Sequence, residues 1–369
     1  MAAGNALSFL HVSKPEIDLA PATDVHSTEV YSRGAENLDR LIADGHLRLD
    51  DHPCYYLYRQ IMAHHSQIGL VAVSSCEEYQ KNIIKKHEFT RPEKEDDRVL
   101  HMEALNAQTG PVFLTYRAQP GMDEFVARKT REAPEIDFTA PDKVRHTAWV
   151  IREKADIDFI TGEFENIPNT YIADGHHRSA AAARVFESRK GAGNSPWFLT
   201  VIFPHNQMQI LAYNRVLKDL NGRTPAQVLE KLAVIFEITE NGPAKPAGKH
   251  SLGFYLAGKW HGLKLKQEFS NDSDAFESLD VTILQQHVLT PIFGIDDPRT
   301  SNRIAFVGGI RGTVELEKLV NSGDLACAFS MYPTSIEDLM AIADADGVMP
   351  PKSTWFEPKL RDAMFCHML

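Results

Sequence analysis

Residues 171–190 read YIADGHHRSAAAARVFESRK. Tyr171 and Ile172 close a strand, Asp174-Gly175 is a turn signal, and the run from Ser179 to Lys190 is rich in helix formers. The turn therefore delivers His176, His177 and Arg178 to the first turn of a helix. Unsatisfied backbone N–H groups and the positive end of the helix dipole collect there. Two imidazoles and a guanidinium in that place suit a phosphate or a carboxylate. An ordinary surface turn has the same outline, and Ala-Asp-Gly recurs at 43–45 and 345–347. Only the copy at 173–175 lies between a strand and a helix and continues as His-His-Arg. Neighbouring helical residues point about 100° apart, so His176 and His177 lack the i, i+4 geometry of a helical zinc pair.

The most charged block is KKHEFTRPEKEDDR, residues 85–98. A solvated helix face carrying Glu93, Glu95, Asp96 and Asp97 is the plain reading. Against it, Lys85, Lys86 and Arg91 flank His87 and Glu88, and Pro92 makes the junction irregular, a common setting for catalytic groups. Glu88 beside two lysines stays ionised, which suits an acceptor of a hydroxyl proton.

ADGHHR followed by an alanine-rich helix resembles the signature of domain-of-unknown-function family 1015. SFLHVSKPEIDL (8–19), IIKKHEFTRPEKEDDR (83–98), YNRVLKDL (213–220) and MPPKSTWFEPKL (349–360) resemble further blocks of that family, in its order. The turn in turn resembles the phosphate-binding turn of the ParB/sulfiredoxin superfamily, which holds nucleotide hydrolases, an ATP-using sulfinic acid reductase and kinases of free serine. The resemblance implies an α/β (α+β) fold: a ParB/sulfiredoxin-like mixed-sheet core with a second C-terminal α/β layer or domain. It implies a phosphotransferase or phosphatase acting on a small phosphorylated metabolite, with serine or phosphoserine as the leading substrate. ATP or ADP with Mg²⁺ is the implied cofactor, the ion using Asp174 or Glu95. Glu88 takes over the base role of a glutamate in the free-serine kinases, with His87, His176 and His177 as further catalytic candidates. Asp174, Gly175, His176, His177, Arg178, Lys86, Arg91, Arg215, Lys352, Ser353 and Thr354 are the expected phosphate or nucleotide ligands. Which of His176 and His177 faces the ligand stays open. So does the role of Asn214 and Arg215: they orient a phosphate or cap a helix after them.

Two other chemistries compete. A nucleotide-responsive binding or regulatory protein of ParB type, without metabolic catalysis, is the alternative; no basic helix-turn-helix is evident, which argues against DNA binding and leaves nucleotide sensing open. A sulfiredoxin-like reductase needs a cysteine in the turn, where this chain has His176.

The chain has 369 residues, 43% apolar and 24% charged, ordinary for a globular protein of two domains. The expected division is 1–220, with the turn core at about 85–220, and 221–369, with the block MPPKSTWFEPKL folding back over the turn. Asn221-Gly222 marks that boundary. A net charge of −11, from 39 basic and 50 acidic side chains, argues against nucleic acid as a partner. A small phosphorylated molecule is the expected partner, with a second copy of the chain as a further candidate. Cys54, Cys76, Cys327 and Cys366 show no ligand spacing, so neither a metal site nor a disulfide framework is expected. The lack of a membrane-length apolar run or an evident secretory signal sets the expectation of a cytoplasmic protein. Local patterns predict helices at 76–88, 97–107 and 122–132, strands at 112–116, 144–151 and 197–203, and a return strand at 208–212. Further on they predict a helix capped by Thr224, a hairpin at 252–266 and a helix capped by Ser335.

Overall fold

A computed structural model describes residues 2–369. The chain divides into two compact units, one of residues 1–208 with 358–369 and one of residues 209–357. The second unit is thus an insertion, in sequence, within the first.

The first unit is built on a mixed sheet. Its strands are β1 (Tyr55–Met62), β2 (His65–Ser75), β3 (Ile84–Lys85), β5 (Val112–Tyr116), β6 (Ile136–Thr139), β7 (Arg145–Ile151), β8 (Thr170–Asp174) and β9 (Trp197–Pro204); β4 (Ala107–Gln108) lies outside the sheet. The spatial order is β3-β8-β5-β9-β2-β1-β7-β6. β3 runs parallel to β8 and β5 parallel to β9, and the other pairings are antiparallel. The expected α+β class is the one observed. β5 reads VFLTY and is buried at every position, as a central strand covered on both faces must be. Helix His176–Ser188 packs Ala181, Ala182 and Val185 on Val112, Leu114, Ile172 and Ile202 of the sheet. Helices Pro120–Lys129 and Lys154–Glu165 add Phe125 and Ile160 to a second cluster with Leu57, Leu70 and Trp149. Small alanines let the first helix lie close to the sheet.

The second unit holds β10 (Ile210–Leu211), β11 (Tyr213–Leu217), β12 (Phe236–Glu240), β13 (Ser251–Leu256), β14 (Lys259–Leu265), β15 (Ile304–Gly308), β16 (Cys327–Ser330) and β17 (Trp355–Phe356). Six of these form an antiparallel sheet in the order β12-β14-β13-β16-β11-β15, and β10 pairs with β17. Ala257 and Gly258 both have positive φ, the backbone of a tight two-residue hairpin turn between β13 and β14. Thr224 with Gln227 and Ser335 with Asp338 form full capping boxes at the starts of their helices.

The structure corrects several expectations. The boundary lies at 208/209 and not at 220, because Tyr213–Leu217 is a buried strand between β15 and β16. Asn214 and Arg215 are therefore strand residues and cap no helix. The helix from Cys76 ends at Gln80, and Asn82, with φ of +58°, redirects the chain into β3. The next helix begins at Pro92, because the ring's fixed φ fits the first helical position; the proline starts this helix and does not break one. The C-terminal residues 358–369 return to the first unit, where β18 (His367–Met368) pairs with β4 and Lys359 O accepts from Gln60 Nε2 at 2.8 Å. No helix among the described residues is long and apolar enough to cross a membrane.

Gly69 lies in β2, where an added Cβ would stand 2.7 Å from Val201 Cγ1 and 2.9 Å from two Phe203 ring atoms. Gly69→Ala should cost about 1–3 kcal/mol in chemical denaturation, the usual range for overpacking a filled core. An unchanged midpoint and slope would show that this sheet yields there.

Candidate functional site

Gly175 links β8 to the helix with φ of +104°, a backbone that favours glycine. A side chain there would also press, at 3.1 Å, on Nε and Nη2 of Arg178, whose guanidinium lies over the turn. Gly175 O accepts from Arg178 N and Ser179 N at 2.9 and 3.0 Å, so the helix is closed from its first turn. No side chain caps this end. The amides of His176 and His177, at the first two helical positions, have no carbonyl four residues back within the helix to bond.

β3 fixes what faces that turn. Ile84 pairs with Thr170 and Lys85 with Tyr171 in parallel register, so His87 and Glu88 leave β3 at the end where Asp174, Gly175 and His176 leave β8. The His87 and His176 rings stand perpendicular, 4.5 Å between centroids. Both are almost fully buried, at 2% and 5% exposure. His87 bonds the Ile172 backbone, while His87 Nδ1 and His176 Nε2 are buried without a hydrogen-bond partner. Glu88 Oε2 lies 3.8 Å from His176 Nδ1, too long for a hydrogen bond.

These surroundings favour neutral imidazoles. Burial, then His177 and Lys86, lower the His176 pKa to about 3. Burial, then His176, drive His87 well below its ordinary value. His177 is lowered by burial and then by Lys94 and Arg91, and its Nε2 accepts from Arg91 N at 3.2 Å. That bond gives His177 a defined orientation against the start of helix Pro92–Leu105.

The expected charged residues are placed as follows. Asp174 Oδ2 lies 3.1 Å from Lys359 Nζ and 4.0 Å from Arg178 Nη2. Burial raises its pKa, but Lys359 and Arg178 outweigh that and hold it below the carboxylate range. Lys86 donates to Tyr79 O at 2.9 Å and sits 4.2 Å over the Tyr79 ring, with its pKa lowered by burial. Arg91 is exposed, with Nη1 3.8 Å from Glu93 Oε1. A cleft of about 570 Å³ runs beside the helix, lined by Tyr79, Lys86, Thr90, Glu95, Ala180 and Arg184 among others. Arg215, Lys352, Ser353 and Thr354 belong to the second unit. There Arg215 donates to Tyr213 O and Lys352 O, and Ser353 Oγ donates to Pro350 O. Of MPPKSTWFEPKL, the lysine that meets the turn is Lys359.

The two carboxylates expected to hold Mg²⁺ are both already paired with cations. Asp174 is engaged by two cations, and Glu95 accepts from Thr90 Oγ1 and pairs with Arg184 at 3.4 Å. No group of three His, Cys, Asp or Glu among the described residues comes together as a metal cage.

Several solved structures are similar to the chain at low identity. A free serine kinase in complex with AMP is 14% identical over 79% of this chain and 90% of that one, with a TM-score of 0.38. A conserved hypothetical protein from Pyrococcus furiosus is 14% identical over 79% and 93%, with a TM-score of 0.36. SbnI with a C-terminal truncation, from Staphylococcus aureus, is 9% identical over 81% and 85%, with a TM-score of 0.42. At these scores the likeness carries no argument about chemistry. No curated protein matches the sequence. The family model described as protein of unknown function (DUF1015) matches residues 1–282, and the chain belongs to that family.

Proposed function

We propose that the first unit is a phosphoryl-transfer enzyme, a phosphotransferase or phosphatase acting on a small phosphorylated metabolite, with the 174–178 turn as its phosphate cradle. The observation that carries this reading is the Glu88 carboxylate 3.8 Å from a buried His176, beside Arg178 and the start of a 13-residue helix. The helix amides and the Arg178 guanidinium hold phosphate oxygens. The imidazoles add N–H donors without adding charge. Glu88, partly exposed, takes the proton of the attacking hydroxyl as its oxygen bonds to phosphorus and the bond to the leaving oxygen breaks. In transfer the hydroxyl belongs to the metabolite; in hydrolysis it belongs to water. Serine and phosphoserine are the first metabolites to test, and ATP and ADP the first nucleotides.

A ligand at about 100 times its Kd adds about 2.7 kcal/mol of stability. Thermal melts with ATP, ADP or phosphoserine should show such a shift in wild type and lose most of it in Arg178→Ala. Shifts that the variant keeps would remove the anion from this turn.

Glu88→Gln should keep the ligand-induced shift and lower turnover about 10²–10⁴-fold in a phosphate-release or transfer assay. Full turnover in this variant would assign the proton to another group.

The neutral histidines also set a pH dependence. The His176 pKa is about 3 in the folded chain, against about 6.5 when unfolded. Between those values the unfolded chain binds more protons, so stability is complete above about pH 6.5 and falls as pH drops toward 3. The slope is at most about 1.4 kcal/mol per pH unit for each such group. Denaturation of His176→Gln across pH 4–7 should be measurably flatter than wild type; equal slopes would mean that His176 protonates freely in the fold.

A further inference from the structure

The block 349–357 and the strand that begins YNRVL meet in the second unit, and the phosphoryl reading uses neither. Arg215 lies in the middle of β11, paired with Phe306 of β15 and Phe329 of β16, and is 4% exposed. Its Nη1 donates to Tyr213 O, and its Nη2 donates to Lys352 O at 3.1 Å. Neither partner carries a charge. Among the described residues Arg215 forms no ion pair, although such pairs are common elsewhere in the chain. Removing a charge from water without a counter-ion costs several kcal/mol, so a buried lone guanidinium is an expensive strut where a neutral side chain would serve.

A second cation converges on the same ground. Lys352 Nζ is 5.6 Å from the centre of the Tyr213 ring, and the Arg215 guanidinium is 5.5 Å from that of Phe306. The two rings are neighbours, 5.9 Å apart, and Trp355 packs edge-on against Tyr213 at 5.0 Å. Lys352 itself is exposed and forms no ion pair among the described residues; its backbone has φ of +61°, in the left-handed region that a non-glycine residue seldom adopts. The acid in this block, Glu357, is turned to the Trp355 indole, accepting from Nε1 at 2.7 Å. Two cations on an aromatic platform, without a carboxylate between them, leave a local charge of about +2 inside a protein whose net charge is −11.

We propose that Arg215 and Lys352, over Tyr213 and Phe306, form a second oxyanion site in the second unit, suited to a phosphate-class dianion. Arg215 is the fixed, buried donor. Lys352 is the exposed point charge that meets the ligand from the solvent side. The site is independent of the 174–178 turn: its residues all lie within 209–357, and it requires no catalysis at the turn.

The test is calorimetric titration of inorganic phosphate, with acetate as a singly charged control, into the whole chain as wild type, Arg178→Ala, Lys352→Ala and the double variant. The expected result is phosphate binding that survives Arg178→Ala and falls at least tenfold when Lys352→Ala is added, with acetate binding much weaker throughout. Lys352 is exposed, so its variant keeps the fold, and Arg215→Lys serves as a check that retains the charge but loses the planar fork. Phosphate binding in Arg178→Ala that is indifferent to Lys352, or acetate binding as tightly as phosphate there, overturns the proposal. So does the absence of any phosphate binding in Arg178→Ala. Phosphate binding that is the same in wild type and Arg178→Ala and is abolished by Lys352→Ala would leave this site standing and overturn only the phosphoryl-transfer reading.

Discussion

The first unit's site depends on the parallel pairing of a two-residue strand. Ile84 and Lys85 hydrogen-bond alongside Thr170 and Tyr171, and this alone sets His87 and Glu88 against a turn more than eighty residues further along the chain. The strand is short, so it cannot hold itself in place by its own ladder. Its anchors are Ile84, buried at 2% exposure in the main core cluster, and the His87 bond to the Ile172 backbone. The same polar contact that orders His87 therefore orders Glu88 beside it. Packing and chemistry are coupled here: loosening the Ile84 side chain would move the carboxylate as well as open the core.

Charge is distributed unevenly around the turn. Acid sits behind it and cation beside it: Asp174 is held by Lys359 and Arg178, while the buried ring nitrogens remain neutral. A helix start surrounded by protonated imidazoles would repel its own N-terminal dipole. With neutral rings, the positive potential comes from Arg178 and from backbone amides that cost no reorganisation when an anion arrives. Arg178 is itself positioned by small residues, because Gly110 and Gly175 leave no Cβ in the space that its guanidinium occupies.

Much of this was legible in the sequence, for local reasons. Strand, Asp-Gly turn and alanine-rich helix state a backbone course within twenty residues, and the structure follows it at β8 and His176–Ser188. The helix caps at Thr224 and Ser335 were legible in the same way. What failed was non-local. Nothing in residues 76–88 announces that the helix stops at Gln80 and that two residues then pair with a distant strand, since a two-residue strand has no period to detect. The strand Tyr213–Leu217 was hidden for a related reason. Its partners begin at residues 304 and 327, so the turn signal at Asn221-Gly222 looked like a boundary when it lies within the second unit.

Tail residues 358–369 show how such a non-local feature constrains function. The last twelve residues belong to the first unit, which is therefore assembled from two stretches of sequence on either side of the second. In the returning segment Lys359 reaches Asp174 with its ammonium and Gln60 with its carbonyl, and Phe365 packs 4.9 Å from Tyr56 and 5.5 Å from Tyr58. The carboxylate at the end of β8 therefore draws one of its two cations, Lys359, from the C-terminal segment and the other, Arg178, from its own turn. Burial alone raises the Asp174 pKa, and Lys359, Arg178 and the Gly175 backbone together hold it down. The charge state of the turn is thus a property of the completed fold, set in part by a lysine 185 residues along the chain from the acid that it neutralises.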